Sequence, residues 1–175
     1  EKAIFPIMFS LMLLTSSTEL VTNQWVNALL GGAVESAILL LALISTIMAL
    51  GRFFAGQLVH RINPVGVLLM SSIFAALGIY VLSFVSSSGL TVVGAVLFAI
   101  GITYFWPTML GFCSEYIPRT GALGLSLLGG AGFVSASMFM PVMGKILEEN
   151  GTSVALQSVG ILPIIMIIGF SVLYV

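Results

Sequence analysis

Six long apolar stretches dominate this chain, and each is long enough to cross a lipid bilayer. They cover about residues 4–30, 36–59, 65–85, 90–113, 122–147 and 154–175. A helix rising 1.5 Å per residue needs about 20 residues to cross a ~30 Å hydrocarbon core. The stretches are continuously apolar rather than alternating, and each is about twice the length of a barrel strand. Helices are therefore expected rather than a barrel.

Composition supports lipid as the solvent. Hydrophobic residues make up 59% of the 175 and charged residues 6%, against roughly 25% charged in a soluble domain. The net charge of -1 provides neither a basic face for nucleic acid nor a polybasic lipid-binding tail. Cys113 and His60 are the only residues of their types. That excludes an internal disulfide and argues against thiolate or imidazole metal sites, so neither a metal nor a cofactor is expected.

Short polar breaks separate the stretches. They are Gly31-Gly32, His60-Arg61-Ile62-Asn63-Pro64, Ser86-Ser87-Ser88-Gly89, the segment from Ser114 to Gly121, and Glu148-Glu149-Asn150-Gly151. With a cytoplasmic N-terminus, Lys2, Arg61 and Arg119 all fall inside, with Arg52 towards the inner end of its span. Lys145 falls outside, offset by Glu148 and Glu149. Lys/Arg asymmetry selects this orientation. Spans one and four carry polar and aromatic residues and are expected to line a cleft. Spans three and six are bland and expected to face lipid. Span five is rich in Gly and Ser, which suits close helix packing. This three-span period suggests two inverted three-helix repeats, a known plan for transporters. Both chain ends fall in or near apolar runs, so the sequence reads as part of a longer chain.

Three motifs carry a resemblance. Gly51-Arg52-x-x-x-Gly56-x-Leu58-x-x-Arg61 resembles the loop between helices eight and nine of the major facilitator superfamily of transporters. Glu115-x-x-Pro118-Arg119-x-x-Ala122 looks like that family's inner loop after helix ten, with Thr120 intervening before Gly121. Thr18-Glu19-Leu20-Val21-Thr22-Asn23-Gln24-Trp25 is similar to helix seven of its sugar-type and related proton symporters. The resemblance covers the whole chain as the C-terminal six-helix half of a twelve-helix fold. It implies that an N-terminal half partners this one, with substrate between them, lined by spans one and four. It also implies that Glu115 pairs with Arg52 or Arg61 across the inner loops. His60 stands where many members carry an acid, a departure that puts the usual charge relay in doubt.

Glu19 is the leading candidate for function. It lies ~25 Å of helix rise beyond Lys2, where a carboxylate costs ~2.5 kcal/mol or more. It persists there either by facing a cavity as a proton-binding or substrate-binding group, or as a hydrogen-bonded structural acid. Asn23, Thr22 and Thr15 lie near it at helical spacing. Trp25 fits an interfacial belt or a stacking face. Pro107 is expected to kink span four and to free the carbonyl near Thr103. Tyr104, Trp106 and Thr108 beside it offer flat faces and hydroxyls to a substrate, or simply pack the bundle. Glu35 reads as a helix cap, and Cys113 as a small buried hydrophobe.

These readings converge on a secondary transporter in the cell membrane. It would move a small polar solute, such as a sugar or nucleoside-like compound, with protons by alternating access. An efflux antiporter of the same superfamily and a structural membrane subunit are the alternatives. An enzyme would need a nucleophile with its base or metal ligands, a channel a filter motif, and an ATP-driven pump a phosphate loop. None is visible.

Overall fold

The computed structural model describes residues 4–25, 37–84 and 87–174, leaving aside the side chains of His60 and Thr120. Lys2, the Gly31-Gly32 break, Glu35 and Ser86 lie outside the described residues. Those described are 96% helical, with no strand among them.

Helix α1 covers Ile4–Ser16, passes into a π-helical turn at Ser17–Val21 and continues to Trp25. Next come α2 (Ala37–Phe53), α3 (Ala55–Arg61), α4 (Pro64–Ser83), α5 (Ser88–Thr103) and α6 (Phe105–Tyr116). A 3₁₀ turn at Pro118–Thr120 leads into α7 (Gly121–Tyr174). Among the described residues, four segments are long and apolar enough to cross a membrane: Ile4–Trp25, Pro64–Ser83, Ser88–Tyr116 and Gly121–Tyr174. The described residues thus form a helical protein with the dimensions and composition of a membrane protein.

Local chemistry explains the ends and breaks. Asn63 caps α4 by accepting from the Val65 N–H at 3.1 Å, and Pro64 occupies the first turn, where its missing N–H costs nothing. The long α7 is two arms joined at Gly151, whose φ of 81° and ψ of 177° are not helical. A glycine tolerates that backbone and a residue with a Cβ does not. The sequence suggests a four-residue turn at 148–151, but helix runs through Asn150 and breaks at Gly151 alone. The second expected span is also divided. Phe54, at φ -95° and ψ 2°, separates α2 from α3.

Lipid supplies no hydrophobic drive between helices, so close contact and hydrogen bonds must hold the bundle. Helices α4 and α5 meet backbone to backbone. Gly78 lies against the Phe98 main chain and Gly101 against that of Ala75, with no room for a Cβ at either glycine. Ser153 donates to the Ser83 carbonyl at 2.7 Å, fastening the second arm of α7 to the end of α4. The first arm is fastened to α1. Ser135 Oγ donates to the Leu13 carbonyl at 2.9 Å, and its oxygen lies 2.7 Å from Ser17 Oγ. A hydroxyl has one proton, so Ser17 is the donor in the second contact.

Spans three and six were expected to face lipid. Each has an exposed apolar stripe, with Ile73, Leu77 and Tyr80 on α4 and Ile161, Ile164 and Ile168 on the second arm of α7. Each also buries its opposite face. Ala75, Gly78 and Ile79 of α4 are buried, as are Leu156, Met166 and Phe170 of the arm. Their lack of charge reflects both environments. An apolar groove of about 820 Å³ lies open between α1 and the first arm of α7, bordered by Leu13, Ser126, Gly130 and Val134.

Candidate functional site

Glu19 sits in the π-helical turn and is 4% exposed. The turn departs from the regular 3.6-residue ladder, a feature frequent at functional positions. The segment Thr15 to Glu19 is buried throughout, an unusual run of polar residues for the inside of an apolar bundle. Helix periodicity would send some of them to the surface. Here the first arm of α7 takes up Ser17 through Ser135, while the opposite side presents Glu19 to α2.

Its partner is Arg52. The guanidinium Nη2 donates to Glu19 Oε1 at 2.8 Å, and Nε donates to the Thr103 carbonyl at 3.1 Å. The second acceptor follows from covalent structure. Thr103 precedes Pro107 by four residues, so its carbonyl would bond the N–H that proline lacks. The helix breaks there, with Tyr104 at φ -98° and ψ -3° between α5 and α6. Arg52 supplies the missing donor. The kink and the freed carbonyl are thus where the sequence places them.

Gly51 makes the approach possible. A Cβ there would lie 2.5 Å from Thr103 Cγ2 and 3.3 Å from the Tyr104 hydroxyl. The Gly-Arg pair therefore acts as a unit: the glycine brings α2 against the α5–α6 junction, and the arginine bridges the junction to Glu19. Thr103 lies near the centre of Ser88–Tyr116, so the cluster is close to mid-depth of that helix. Arg52 stands in the last turn of α2, at the end of the helix where the sequence places it. Its side chain turns inward because a carboxylate and an orphan carbonyl both lie within reach.

Gly56 of the same motif differs from Gly51, and the expected pairing of Glu115 is corrected. Gly56 is exposed, and a Cβ added there would meet no atom within 4 Å, so it makes no close helix contact. Glu115 is exposed on α6, and no ion pair joins it to Arg52 or Arg61 among the described residues. Glu19 occupies Arg52 instead. Arg61 ends α3 and, with Phe54, Gln57, Leu58 and Tyr104, borders a cleft of about 330 Å³. Arg119 is exposed on the 3₁₀ turn. Lys145 Nζ and Glu149 Oε1 stand 3.8 Å apart on the exposed face of α7, a solvated pair of little energetic weight.

The remaining candidates fall into two groups. Thr22 and Asn23 follow Glu19 on its own helix, and Thr22 Oγ1, Asn23 Oδ1 and Glu19 Oε2 are buried without a hydrogen-bond partner among the described residues. Trp106 and Thr108 lie on α6. Trp106 Nε1 and Thr108 Oγ1 are likewise buried and unpartnered. The Trp106 ring packs on Phe133 at a centroid distance of 5.4 Å, and both it and Ser16 Oγ converge on Gly132. Ser16 Oγ is a further unpartnered atom that the sequence does not single out. Tyr104 stands beside Gly51, and no hydrogen bond links Tyr104 or Trp106 to Glu19 among the described residues. The Trp25 ring lies against Gly144 of α7, 3.1 Å from the position of an added Cβ, so it is packed within the bundle. Cys113 is buried.

No family model matches this chain. No curated protein matches it either. The reading of the site therefore rests on its own chemistry. Buried polar groups are ordinarily hydrogen-bonded, and orphans are costly. Here a carboxylate–guanidinium pair stands beside several orphans among the described residues.

Proposed function

We propose that the chain is the C-terminal half of a major facilitator superfamily transporter, with six membrane spans arranged as two inverted three-helix repeats. It moves a small polar solute across the cell membrane by alternating access, coupled to protons. The division of α7 at Gly151 and the joining of α5 to α6 at Tyr104 support six spans. The uncovered groove between α1 and α7 supports a second set of helices packing there. The loops bearing Arg61 and Arg119 lie on the cytoplasmic side in this reading.

The observation that carries the proposal is the Glu19–Arg52 pair. It joins two apolar helices at the kink of a third, and one carboxylate oxygen has no hydrogen-bond partner among the described residues. Replacing such a pair with apolar residues is often neutral or stabilising, so stability alone gives little reason to keep it. A carboxyl that alternates between ionised and protonated forms gives a reason. Ionised, it binds α1 to α2 through Arg52. Protonated, it loosens that link and lets the two helices move. Release of the proton to the inside restores the link.

The test uses the full-length protein in lightly buffered vesicles. Addition of a transported solute should alkalinise the medium on the side of addition, and an imposed proton gradient should drive accumulation. Solute movement that ignores the gradient would overturn the coupling.

A further inference from the structure

From the charges of the site we propose that the transported solute carries a carboxylate, which Arg52 binds when Glu19 takes a proton. The inference rests on the transport reading and narrows it from polar solutes in general to organic anions.

Charge balance is the first argument. At rest, Glu19 and Arg52 sum to zero. An anion alone leaves the site at -1, and a proton alone leaves it at +1. Either leaves one member of the pair without its counter-charge, which is unfavourable. Anion and proton together return the sum to zero. A cationic solute has no such neutral loaded state, because Arg52 does not lose its proton. A neutral solute gains nothing from the proton.

Geometry is the second argument. A guanidinium has five N–H donors. Here Nε serves Thr103 and one Nη2 proton serves Glu19. The Arg52 side chain is 38% exposed while Glu19's is 5% exposed, so the arginine is the member of the pair that a solute can reach. Carboxylates match that planar edge with two parallel hydrogen bonds. The cleft bordered by Arg61, Gln57 and Tyr104 is the third argument. Its charged group is cationic, and Tyr104 connects it to the turn that holds Arg52. Together Arg61, Arg52 and Glu19 carry an excess of one positive charge, which attracts anions.

Other groups near Glu19 do not alter this balance. From α2 comes Arg52. From the α5–α6 junction come the Thr103 carbonyl and Tyr104. On its own helix lie Thr22 and Asn23. A proton arriving on Glu19 weakens its hold on Nη2, and the released edge takes the substrate carboxylate. The proton leaves Glu19 as the carboxylate leaves Arg52, and the pair closes again.

The experiment measures binding to the purified full-length protein in weak buffer. The anionic probes are lactate, gluconate and succinate; the neutral ones are glucose, glycerol and uridine. At least one carboxylate should bind and take up about one proton per molecule bound. Glu19→Gln should bind it at least as tightly with no proton uptake, a gain that misfolding cannot imitate. Arg52→Gln should weaken binding by roughly tenfold or more. The double variant Glu19→Gln/Arg52→Gln, which leaves no unpaired charge, guards against a folding defect and should be equally weak. Binding of neutral probes alone, binding of no probe, or unweakened carboxylate binding in the double variant would overturn the inference. Proton-driven, Glu19-dependent uptake of a neutral solute would overturn it while leaving the transport reading intact.

Discussion

Replacing Arg52 with glutamine should destabilise the protein far more than replacing Glu19 with glutamine, and the two changes together should cost less than their sum. The structure sets the magnitudes. At 2.8 Å two unit charges attract by ~6 kcal/mol at an effective dielectric of 20, most of which offsets the cost of taking them out of water. Arg52→Gln strands a carboxylate that is 4% exposed and removes the donor to the Thr103 carbonyl. Breaking a buried pair costs ~3–5 kcal/mol. The partial exposure of Arg52 and the ability of Glu19 to take a proton place this case near the lower bound, about 3 kcal/mol. Glu19→Gln strands a cation with access to solvent and keeps an oxygen that accepts from Nη2, so about 1 kcal/mol is expected. The double variant has no stranded charge and should cost about 2 kcal/mol, a coupling of about 2 kcal/mol. Equilibrium unfolding of the four full-length proteins in mixed micelles gives all the terms. Strict additivity, within about 0.5 kcal/mol, would show that the two side chains do not act as a pair.

Two other substitutions probe the frame around the pair. Gly51→Ala should cost about 1–3 kcal/mol through contact with Thr103 Cγ2, and Thr103→Ser, which deletes that methyl, should recover most of the loss in the same unfolding assay. Pro107→Ala restores an N–H four residues after Thr103, so the carbonyl no longer needs Arg52. Thermal stability should hold or rise while proton-driven uptake falls, and unchanged uptake would show that the kink has no part in the cycle.

Much of this site is legible in the residues themselves. Glu19 stands out because an acid deep in an apolar stretch demands an explanation, and Pro107 identifies its own orphan acceptor four residues back. What is not legible is the partner. Counting residues along a straight second span puts Arg52 near the membrane surface, with Glu115 as its natural mate. The break at Phe54 and the close approach at Gly51 are tertiary facts that shift its reach inward, and composition cannot encode them. The π-helical turn is equally hidden, because its extra residue leaves the run of Ser, Thr and Glu looking like any polar patch. Glycines mislead in both directions. Gly51 and Gly56 belong to one motif, yet a single one meets another helix. Apolar stretches locate the spans well. They do not report whether a lipid or another helix covers each face, as α4 and the second arm of α7 demonstrate.

In the proposed cycle Glu19 carries the proton that couples transport to the gradient. Wild type and Glu19→Gln are compared at equal protein density in vesicles, with gradient-driven accumulation and gradient-free solute exchange measured in parallel. Glu19→Gln should retain exchange and lose accumulation. Accumulation at the wild-type level in the variant would contradict this role and return Glu19 to a structural acid paired with Arg52.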